Sequence, residues 1–238
     1  MNREEAAERL KKARRIVFFG GAGTSTESGI PDFRSPGGVY DQIPEYVLSH
    51  QCMMREPERF FSFYRENLLF PDAKPNQGHH VLAKWEREGR LSGVITQNID
   101  GLHQAAGSVN VFELHGSVRK NTCMHCKKTY APEDIPQKPI VPRCTCGAII
   151  RPDVVLFGEP LDEAVVDGAI HLLSQADALL VAGTSLSVYP AAGFLRYFRG
   201  DMMIINNKTA TNMDRKADLV LREGFSESMK WLDSEWEK

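Results

Sequence analysis

Four cysteines in the middle of the chain have the spacing of a metal site. They form a C-x-x-C pair and a C-x-C pair 17 residues apart, namely Cys123, Cys126, Cys144 and Cys146. Four thiolates at this spacing predict a tetrahedral Zn²⁺ site, and the ion is predicted to be structural because no coordination position stays open. His125 lies between the ligands and is an alternative ligand, since the second pair is one residue shorter than the common C-x-x-C knuckle. Cys52 is distant and is interpreted as a buried, idle thiol.

A glycine-rich loop follows an apolar run near the beginning of the chain and reads "GGAGTSTESGIPDFRS" from residue 20. A strand, a glycine turn and hydroxyls at a presumed helix start favour an anion such as pyrophosphate. Gly21 and Gly23 fit the dinucleotide pattern G-x-G-x-x-G, but Thr26 replaces the third glycine. A simple capped turn explains the loop equally well by itself. The acid, aromatic ring and cation at positions 32 to 34 favour a binding site.

Polar residues follow two further strand candidates. Gln97 ends "GVITQ", Asn98 and Asp100 come just after it, and His115 comes after "VNVFEL". Ligand crevices of open α/β sheets lie at the carboxyl ends of the strands, so these side chains are candidates for one site. A histidine there can act as a general base near neutral pH, although a structural histidine is the alternative. The stretch "GTSLS" is not a hydrolase elbow, because Ser187 stands where the second glycine of G-x-S-x-G belongs.

The elements that must position these residues alternate between strands and helices. Strands are predicted at 16–19, 93–97, 109–114, 178–184, 202–206 and 218–221, and helices at 3–14, 78–88 and 162–174. This alternation predicts a Rossmann-like parallel sheet with helices on both faces. Residues 1–35, 77–118 and 151–238 are assigned to that domain. A helical insertion at 36–76 and a zinc-ribbon insertion at 119–150 are assigned to a smaller domain.

The composition excludes several classes of protein. The chain is 42% hydrophobic and 25% charged with a net charge of −2, which argues against disorder and against a nucleic-acid partner. No apolar run approaches the roughly 20 residues of a membrane helix, and the charged N-terminal stretch has no signal-peptide core. We expect a cytoplasmic protein with reduced thiols, no membrane contact and a monomeric state, since nothing suggests a heptad or a large exposed patch.

In order along the chain, these pieces resemble the sirtuin family of NAD-dependent protein deacylases, above all bacterial sirtuins of minimal length. The matching stretches are "GAGTSTESGIPDFRS", "TQNIDGLHQAAGS", "ELHGS", the four cysteines, "RPDVVLFGE" and "AGTSLSVYPAAG". The resemblance implies that the glycine loop belongs to an NAD pocket, and that the missing third glycine is normal for the family. It also implies that NAD is consumed as a co-substrate and that acetylated proteins or peptides are the partners.

The resemblance further implies a role for each matching residue. His115 is the expected catalytic base, and Val154, Val155, Phe157, Gly158 and Glu159 are expected to pair with the backbone of an extended substrate peptide. The expected cofactor-binding residues are Ala22, Thr26, Phe33, Arg34, Gln97, Asn98, Ile99, Asp100, Gly183, Thr184, Ser185 and Asn206. Among these, Asn98 and Asp100 are expected to anchor the nicotinamide carboxamide.

The reaction that the resemblance implies is removal of an acetyl group from lysine, with release of nicotinamide and O-acetyl-ADP-ribose. Nicotinamide leaves C1′ of the ribose, the acyl oxygen attacks that carbon, and His115 takes a proton from a ribose hydroxyl. Sirtuins that prefer succinyl or malonyl groups carry a Tyr-x-x-Arg pair, whereas this chain has Tyr64 and Asn67 at those positions. A buried carboxylate would lack its bidentate partner, so uncharged acyl groups are expected.

Three alternatives stay open at the level of sequence. A hydride-transferring dehydrogenase needs an acid for the ribose, and Asp41 has roughly the right spacing but stands outside any strand candidate. An ADP-ribosyltransferase would use the same departure of nicotinamide and would add mass to its target. A zinc ribbon that binds nucleic acid is the third, but Glu133 and Asp134 interrupt its basic residues.

Overall fold

The computed structural model describes residues 1–33, 38 and 44–238 of the chain. Its centre is a six-stranded sheet in the order β3-β2-β1-β7-β8-β9, in which all neighbouring strands are parallel. The strands are β1 (Ile16–Gly20), β2 (Leu91–Thr96), β3 (Val111–Glu113), β7 (Ala178–Ala182), β8 (Met202–Asn206) and β9 (Leu219–Leu221). The parallel sheet predicted from the alternating pattern is confirmed, although several strands are one to three residues shorter than expected.

Two apolar layers cover the sheet, because the side chains of a strand alternate between its faces. In β1, Ile16 and Phe18 pack into one layer, whereas Val17 and Phe19 pack into the other. All five residues of β1 are buried, as is typical of a central parallel strand. Burial on both faces explains why this strand reads as a continuous apolar run and not as an alternating one.

The helices divide between the two faces of the sheet. One face is covered by α1 (Arg3–Lys12), α4 (Gln77–Arg87) and α7 (Phe225–Trp236). The other is covered by α6 (Glu163–Gln175) and a 3-10 segment, Ala191–Tyr197. Asn2 and Glu5 form a capping box that begins α1, and Asn76 caps α4 through the backbone N–H groups of Gly78 and His79. The beginnings of α1 and α4 are therefore fixed by capping side chains that the sequence supplies, whereas α7 begins after Gly224 without one.

A second, smaller unit is built from a three-stranded antiparallel sheet and two helices. The strands are β4 (Gly116–Cys123), β5 (Thr129–Tyr130) and β6 (Ile150–Val154), in the order β5-β4-β6. The helices α2 (His50–Arg55) and α3 (Pro57–Asn67) pack aromatic residues such as Phe60 against Val154, at the end of β6, and Leu156, just after it. The two insertions therefore meet beside the end of β6.

The glycine loop differs from the sequence-based expectation. Two short 3-10 turns, Ala22–Thr24 and Thr26–Ser28, follow β1 where a longer helix was presumed. A short helix, α5 (Leu102–Ala106), follows β2 after a polar loop. Among the described residues, no helix has the length and apolar character needed to cross a membrane.

Candidate functional site

A cavity of about 760 Å³ opens at the carboxyl edge of the large sheet. Each of the six strands contributes lining residues to this cavity, at the end of the strand or just after it. The residues are Gly21 to Gly23 after β1, Gln97 to Ile99 after β2, His115 after β3, Gly183 to Ser185 after β7, Asn206 to Thr209 at β8, and Glu223 and Phe225 after β9. This volume is in the range of cofactor and ligand pockets. The parallel topology thus collects polar groups that are far apart in sequence.

The glycines of the loop allow two backbone turns to approach each other closely. Gly23 donates its N–H to the carbonyl of Gly183 at 2.8 Å, and a Cβ on Gly23 would lie 2.7 Å from the Cα of Gly183. Gly183 itself has φ +60, a left-handed conformation that favours glycine. The third glycine of the dinucleotide pattern is not needed here. Thr26 occupies that position, and its hydroxyl donates to the carbonyl of Gly23 at 3.0 Å.

A buried hydrogen-bond network joins the glycine loop to the loop after β2. The Asn98 side-chain amide donates to the hydroxyl of Thr24 at 3.1 Å and to that of Ser25 at 3.0 Å. Ser25 in turn donates to a carboxylate oxygen of Asp100 at 2.7 Å, and the other oxygen accepts the Leu102 N–H. Burial raises the pKa of Asp100 even though these hydrogen bonds oppose the shift. The network fixes the two loops relative to each other.

Asn76 ties the same loop to α4 from the outside. Its side-chain amide donates to the carbonyl of Thr24 at 2.8 Å and to the hydroxyl of Ser28 at 3.1 Å, while its Oδ1 caps the helix. Below this cap, His79 and His103 form a buried pair with ring centroids 4.7 Å apart. Burial lowers the pKa of His79 to about 4 and lowers that of His103 well below its ordinary value. Both rings are therefore neutral, structural histidines.

His115 stands at the end of β3 and lines the cavity. Its Nδ1 lies 2.9 Å from the carbonyl oxygen of Gln97, so that this nitrogen is the donor and Nε2 carries the lone pair. Burial lowers the pKa of His115, and the hydrogen bond to Gln97 only partly opposes the shift. The imidazole is consequently neutral at pH 7 and oriented by a backbone group, as a general base requires.

Hydroxyl and amide side chains from the ends of β2, β7 and β8 also line the cavity. Gln97 donates to the hydroxyl of Thr184 at 3.0 Å, and Asn206 donates to the carbonyl of Glu223 at 2.9 Å. Within the described residues, the backbone N–H groups of Ala22 and Thr26 have no hydrogen-bond partner. Free N–H groups beside a glycine turn are donors that suit phosphate oxygens. The cavity therefore offers partners for both phosphate and ribose groups.

The structure brings most of the predicted site residues together. The cavity is lined by Ala22, Thr26, Phe33, Gln97, Asn98, Ile99, His115, Val154, Val155, Phe157, Gly158, Glu159, Gly183, Thr184, Ser185 and Asn206. Asp100 does not line it and lies behind Ser25. Arg34 is outside the described residues.

Other lining residues were not predicted from the sequence. Leu48 and Leu68 come from the helical insertion, and Glu223 and Phe225 come from the segment after β9. The two leucines are ordinary apolar residues with no chemical signature. Glu223 and Phe225 follow the last strand, so the rule that ligands lie at strand ends was the signal that could have found them.

The four cysteines meet at one point in the small sheet. Cys123 and Cys146 have their sulfur atoms 3.5 Å apart, as do Cys126 and Cys144, and all four lie within 4.8 Å of one another. Gly147 has φ +89 and closes the tight turn that the shortened second pair needs. His125 is exposed and is not part of the cluster.

Neighbouring groups favour the metal-binding form of the Cys144 thiol. The backbone N–H of Cys146 and the hydroxyl of Tyr130 lower the pKa of Cys144 to about 5. Thiolates are the form that binds metal, and four sulfurs at these separations suit a tetrahedral Zn²⁺. Because four protein sulfurs leave no position for a substrate, the chemistry of this donor set is that of a structural site.

Comparison with known proteins gives one consistent result. Residues 21–190 match the sequence model of the Sir2 family. An NAD-dependent protein deacetylase of Clostridium perfringens is 52% identical over 226 residues, which cover 92% of this chain and 93% of the relative. A Sir2 structure with a deacetylated p53 peptide and 3′-O-acetyl-ADP-ribose has a TM-score of 0.92 at 40% identity, covering 99% and 98% of the two chains. A Sir2 structure with a p53 peptide and NAD⁺ has a TM-score of 0.89 at 40% identity, with the same coverage.

Proposed function

The chain belongs to the Sir2 family and is an NAD-dependent protein deacetylase, and we propose that the cavity at the carboxyl edge of the large sheet is its active site. The observation that carries this proposal is the position of His115, a neutral and oriented imidazole in the same cavity as the glycine loop and Asn98. The reaction removes acetyl groups from lysine side chains and releases nicotinamide and O-acetyl-ADP-ribose. The residues that perform it are assigned below.

We assign the glycine loop and the ends of β7 and β8 to NAD. The backbone N–H groups of Ala22 and Thr26 suit the phosphates, and Ser185 and Asn206 suit the hydroxyls of the adenosine ribose. Bound NAD would supply an electrophilic ribose carbon, from which nicotinamide leaves as the acyl oxygen takes its place. Asn98 is assigned to the carboxamide of nicotinamide. Asp100, which was expected to share that task, is assigned to holding Ser25 and the loop after β2.

We assign the role of general base to His115. Its Nδ1–H is engaged by the Gln97 carbonyl, so Nε2 is the nitrogen that can accept a proton from a hydroxyl in the cavity. Its lowered pKa keeps it unprotonated at neutral pH, so no proton must first be removed. Phe33 and Ile99 lie on the same cavity wall and are assigned to excluding water from the reacting carbon.

We assign the peptide to the segment from Val154 to Glu159, which lines the cavity beside His115. The related structures hold a deacetylated p53 peptide or a p53 peptide with NAD⁺, which supports acetylated peptides as the partner here. Within this segment, the backbone of Gly158 has no hydrogen-bond partner among the described residues. Gly158 is thus the residue best able to pair with an extended peptide.

The acyl group is assigned to an apolar part of the cavity, lined by Leu48 and Leu68 from the insertion. Tyr64 is buried on α3, where burial raises the pKa of its hydroxyl, and it stacks on Phe60. The Asn67 amide donates to the carbonyl of Phe63 at 3.1 Å. No cation therefore stands at the Asn67 position to pair with an acyl carboxylate, and uncharged acyl groups are the proposed substrates.

The zinc site is assigned to holding the small domain together. The two insertions at 36–76 and 119–150 are proposed to form this domain, and the remaining segments to form the NAD-binding domain. The cytoplasmic location and the monomeric state that the sequence led us to expect stay predictions.

The experiment that tests the proposed function is mass spectrometry on an acetyl-lysine peptide incubated with the protein, with and without NAD. We expect loss of the acetyl group only with NAD, together with equimolar nicotinamide and O-acetyl-ADP-ribose. A succinyl-lysine version of the same peptide is the matched substrate control and should stay intact. Efficient removal of succinyl would contradict the assignment of the acyl site.

Other outcomes would redirect the assignment. An intact acetyl peptide with cleavage of NAD to ADP-ribose would indicate a glycohydrolase, and a gain of mass on the peptide would indicate an ADP-ribosyltransferase. Either result would overturn the assignment of the Val154 to Glu159 segment to acyl-lysine.

A further inference from the structure

Arg151 is a half-buried cation on β6, outside the cavity and outside the residues assigned above. Its guanidinium meets the carboxylate of Glu159 with two parallel hydrogen bonds, Nη1 to Oε1 at 2.5 Å and Nη2 to Oε2 at 2.8 Å. Nη2 also donates to the carbonyl of Val154 at 2.8 Å. The two side chains are only 20% and 18% exposed. Bidentate pairing at this degree of burial is strong and orients both partners.

The carboxylate of Glu159 also closes a turn of the backbone. Its Oε2 accepts the N–H of Leu156 at 2.9 Å, and the Glu159 N–H donates to the carbonyl of Leu156 at 2.9 Å. Gly158 has φ +90 at the third position of this turn, as in a type II turn. Burial opposes ionisation of Glu159, but the hydrogen bonds from Arg151 and Leu156 outweigh it and lower the pKa. The Glu159 side chain is therefore an anion whose hydrogen bonds stabilise the turn and do not bind a substrate.

The other edge of the segment is held by different partners. Phe157 donates its N–H to the carbonyl of Leu48 at 3.0 Å and accepts the N–H of His50 at 3.0 Å. Val155 donates its N–H to the carbonyl of His115 at 2.9 Å. Most backbone groups from Val154 to Phe157 are thus occupied, and Gly158 is the residue whose N–H and carbonyl are both left for a peptide among the described residues of this segment. Its position depends on the Arg151–Glu159 pair, which fixes the turn.

We propose that Arg151 is a positioning residue for the substrate peptide, because its pair with Glu159 sets the turn that presents Gly158 to the peptide backbone. This inference rests on the proposed function, since it needs the peptide to lie along the Val154 to Glu159 segment. It assigns to Glu159 a side-chain role that differs from the peptide contact expected from the sequence. The pair touches neither the glycine loop nor the groups assigned to NAD, so its effect is confined to the peptide.

The test is steady-state kinetics of Arg151→Gln with the acetyl-lysine peptide and NAD varied in turn. We expect the KM for peptide to rise about tenfold, because charge-assisted hydrogen bonds that order the turn are lost. The kcat at saturating peptide and the KM for NAD should each stay within about twofold, since the groups at His115 and the glycine loop are untouched. Arg151→Lys keeps the charge but not the bidentate geometry and should give an intermediate KM.

Arg9→Gln is the matched control. Arg9 also contacts a carboxylate, Asp218 at 3.2 Å, and a backbone carbonyl, that of Asp201 at 2.7 Å, but it does so away from the cavity. Its removal should leave the KM for peptide unchanged. A double variant, Arg151→Gln with Glu159→Gln, should be no worse than the worse single variant, because both changes break one pair.

Each result decides the inference. A fall in kcat or a rise in the KM for NAD with an unchanged KM for peptide would overturn it, as would additive effects in the double variant. If Arg151→Gln fails to fold, Glu159→Gln, which keeps an acceptor for the Leu156 N–H, carries the same expectation. A wild-type protein that leaves the acetyl peptide intact would overturn the proposed function, whereas an active wild type with an indifferent Arg151 overturns only this inference.

Discussion

The two sheets of the molecule each carry a cluster of reactive groups, and the clusters are organised by different forces. At the large sheet, Thr24, Ser25 and Asn98 are buried and satisfy one another through hydrogen bonds above a core of fully buried strands. At the small sheet, the cysteines rest on a thin apolar cluster in which Ile150 is the main buried hydrocarbon. Packing preorganises the first cluster, whereas the second depends on the bonds that its own sulfurs make to a metal.

This difference indicates which change would destabilise each region. A core that is complete without its ligand keeps the site in place when one catalytic side chain is removed. The zinc ribbon has few buried apolar residues to stabilise it. We therefore expect it to unfold when its metal is removed. The following predictions, from the largest effect to the smallest, test this contrast.

Removal of zinc by a chelator should have the largest effect. Structural zinc sites contribute on the order of 10 kcal/mol to folding, more than the apolar cluster of the ribbon supplies. We expect one zinc per chain before treatment, and afterwards fast hydrogen exchange over residues 119–150 with continued protection of β1. Cys52→Ala is the control, because Cys52 is a buried thiol outside the metal cluster and its loss should leave the zinc content at one. Continued protection of the ribbon without metal would contradict the contrast.

His115→Ala should lower kcat by about 10²–10⁴-fold, the usual range for loss of a general base. The zinc content and the melting temperature should change little, because the neighbouring network through Asn98 and Ser25 does not use this ring. His171→Ala, an exposed histidine on α6, is the matched control and should be fully active. Near-normal turnover of His115→Ala would remove it from the mechanism.

Acid should destabilise the large-sheet region through its buried histidine pair. The folded-state pKa of His79 is about 4, against about 6.5 in the unfolded chain, so the unfolded state binds more protons between these values. Stability is complete above pH 6.5 and falls as the pH drops toward 4, by up to about 3 kcal/mol for His79 alone.

Urea unfolding at several pH values measures this loss. His103→Leu removes the second buried imidazole and should flatten the dependence of the free energy of unfolding on pH. His171→Ala, which changes an exposed histidine on α6, should not. If the free energy of unfolding changes with pH equally in wild type and His103→Leu, the acid sensitivity comes from groups other than this histidine pair.

Arg222→Gln should have the smallest effect. Arg222 donates to the carbonyls of Asn207 and Thr209 at 2.8 and 2.7 Å and pairs with Asp214, which holds the loop after β8, the part of the cavity that we assign to adenosine. Its side chain is 43% exposed, so we expect only about a threefold rise in the KM for NAD. The KM for peptide should not move. A control at Arg215, an exposed neighbour on the same loop, should change neither constant.

The polar residues at strand ends were the part of the site that sequence could predict, because strand ends converge in any parallel sheet. His115, Asn98 and Gln97 were predicted in this way and line the cavity, and the cysteines were predicted by their spacing. Asp100 was predicted in the same way and lies behind Ser25, because a position in a loop does not reveal whether a carboxylate faces a cavity or a neighbouring hydroxyl. The resemblance supplied the roles that the pattern alone left open.

Other features could not be read from the chain. Leu48 and Leu68 reach the cavity only because the helical insertion folds back over it, which is a property of tertiary packing. The 3-10 turns after β1 replace a helix because the Gly23–Gly183 contact and the Asn76 cap fix the loop from outside. The pairing of Arg151 with Glu159 has no signature beyond two charges eight residues apart.

The order of strands in the large sheet has a consequence for the newly made chain. β1 is among the first segments to be synthesised, yet Ile16 pairs with Leu91 on one side and with Ala178 on the other. At about 5–20 residues per second, the ribosome needs roughly ten to thirty seconds to deliver the second partner. The Gly23–Gly183 contact, which shapes the glycine loop, can close only after that delay.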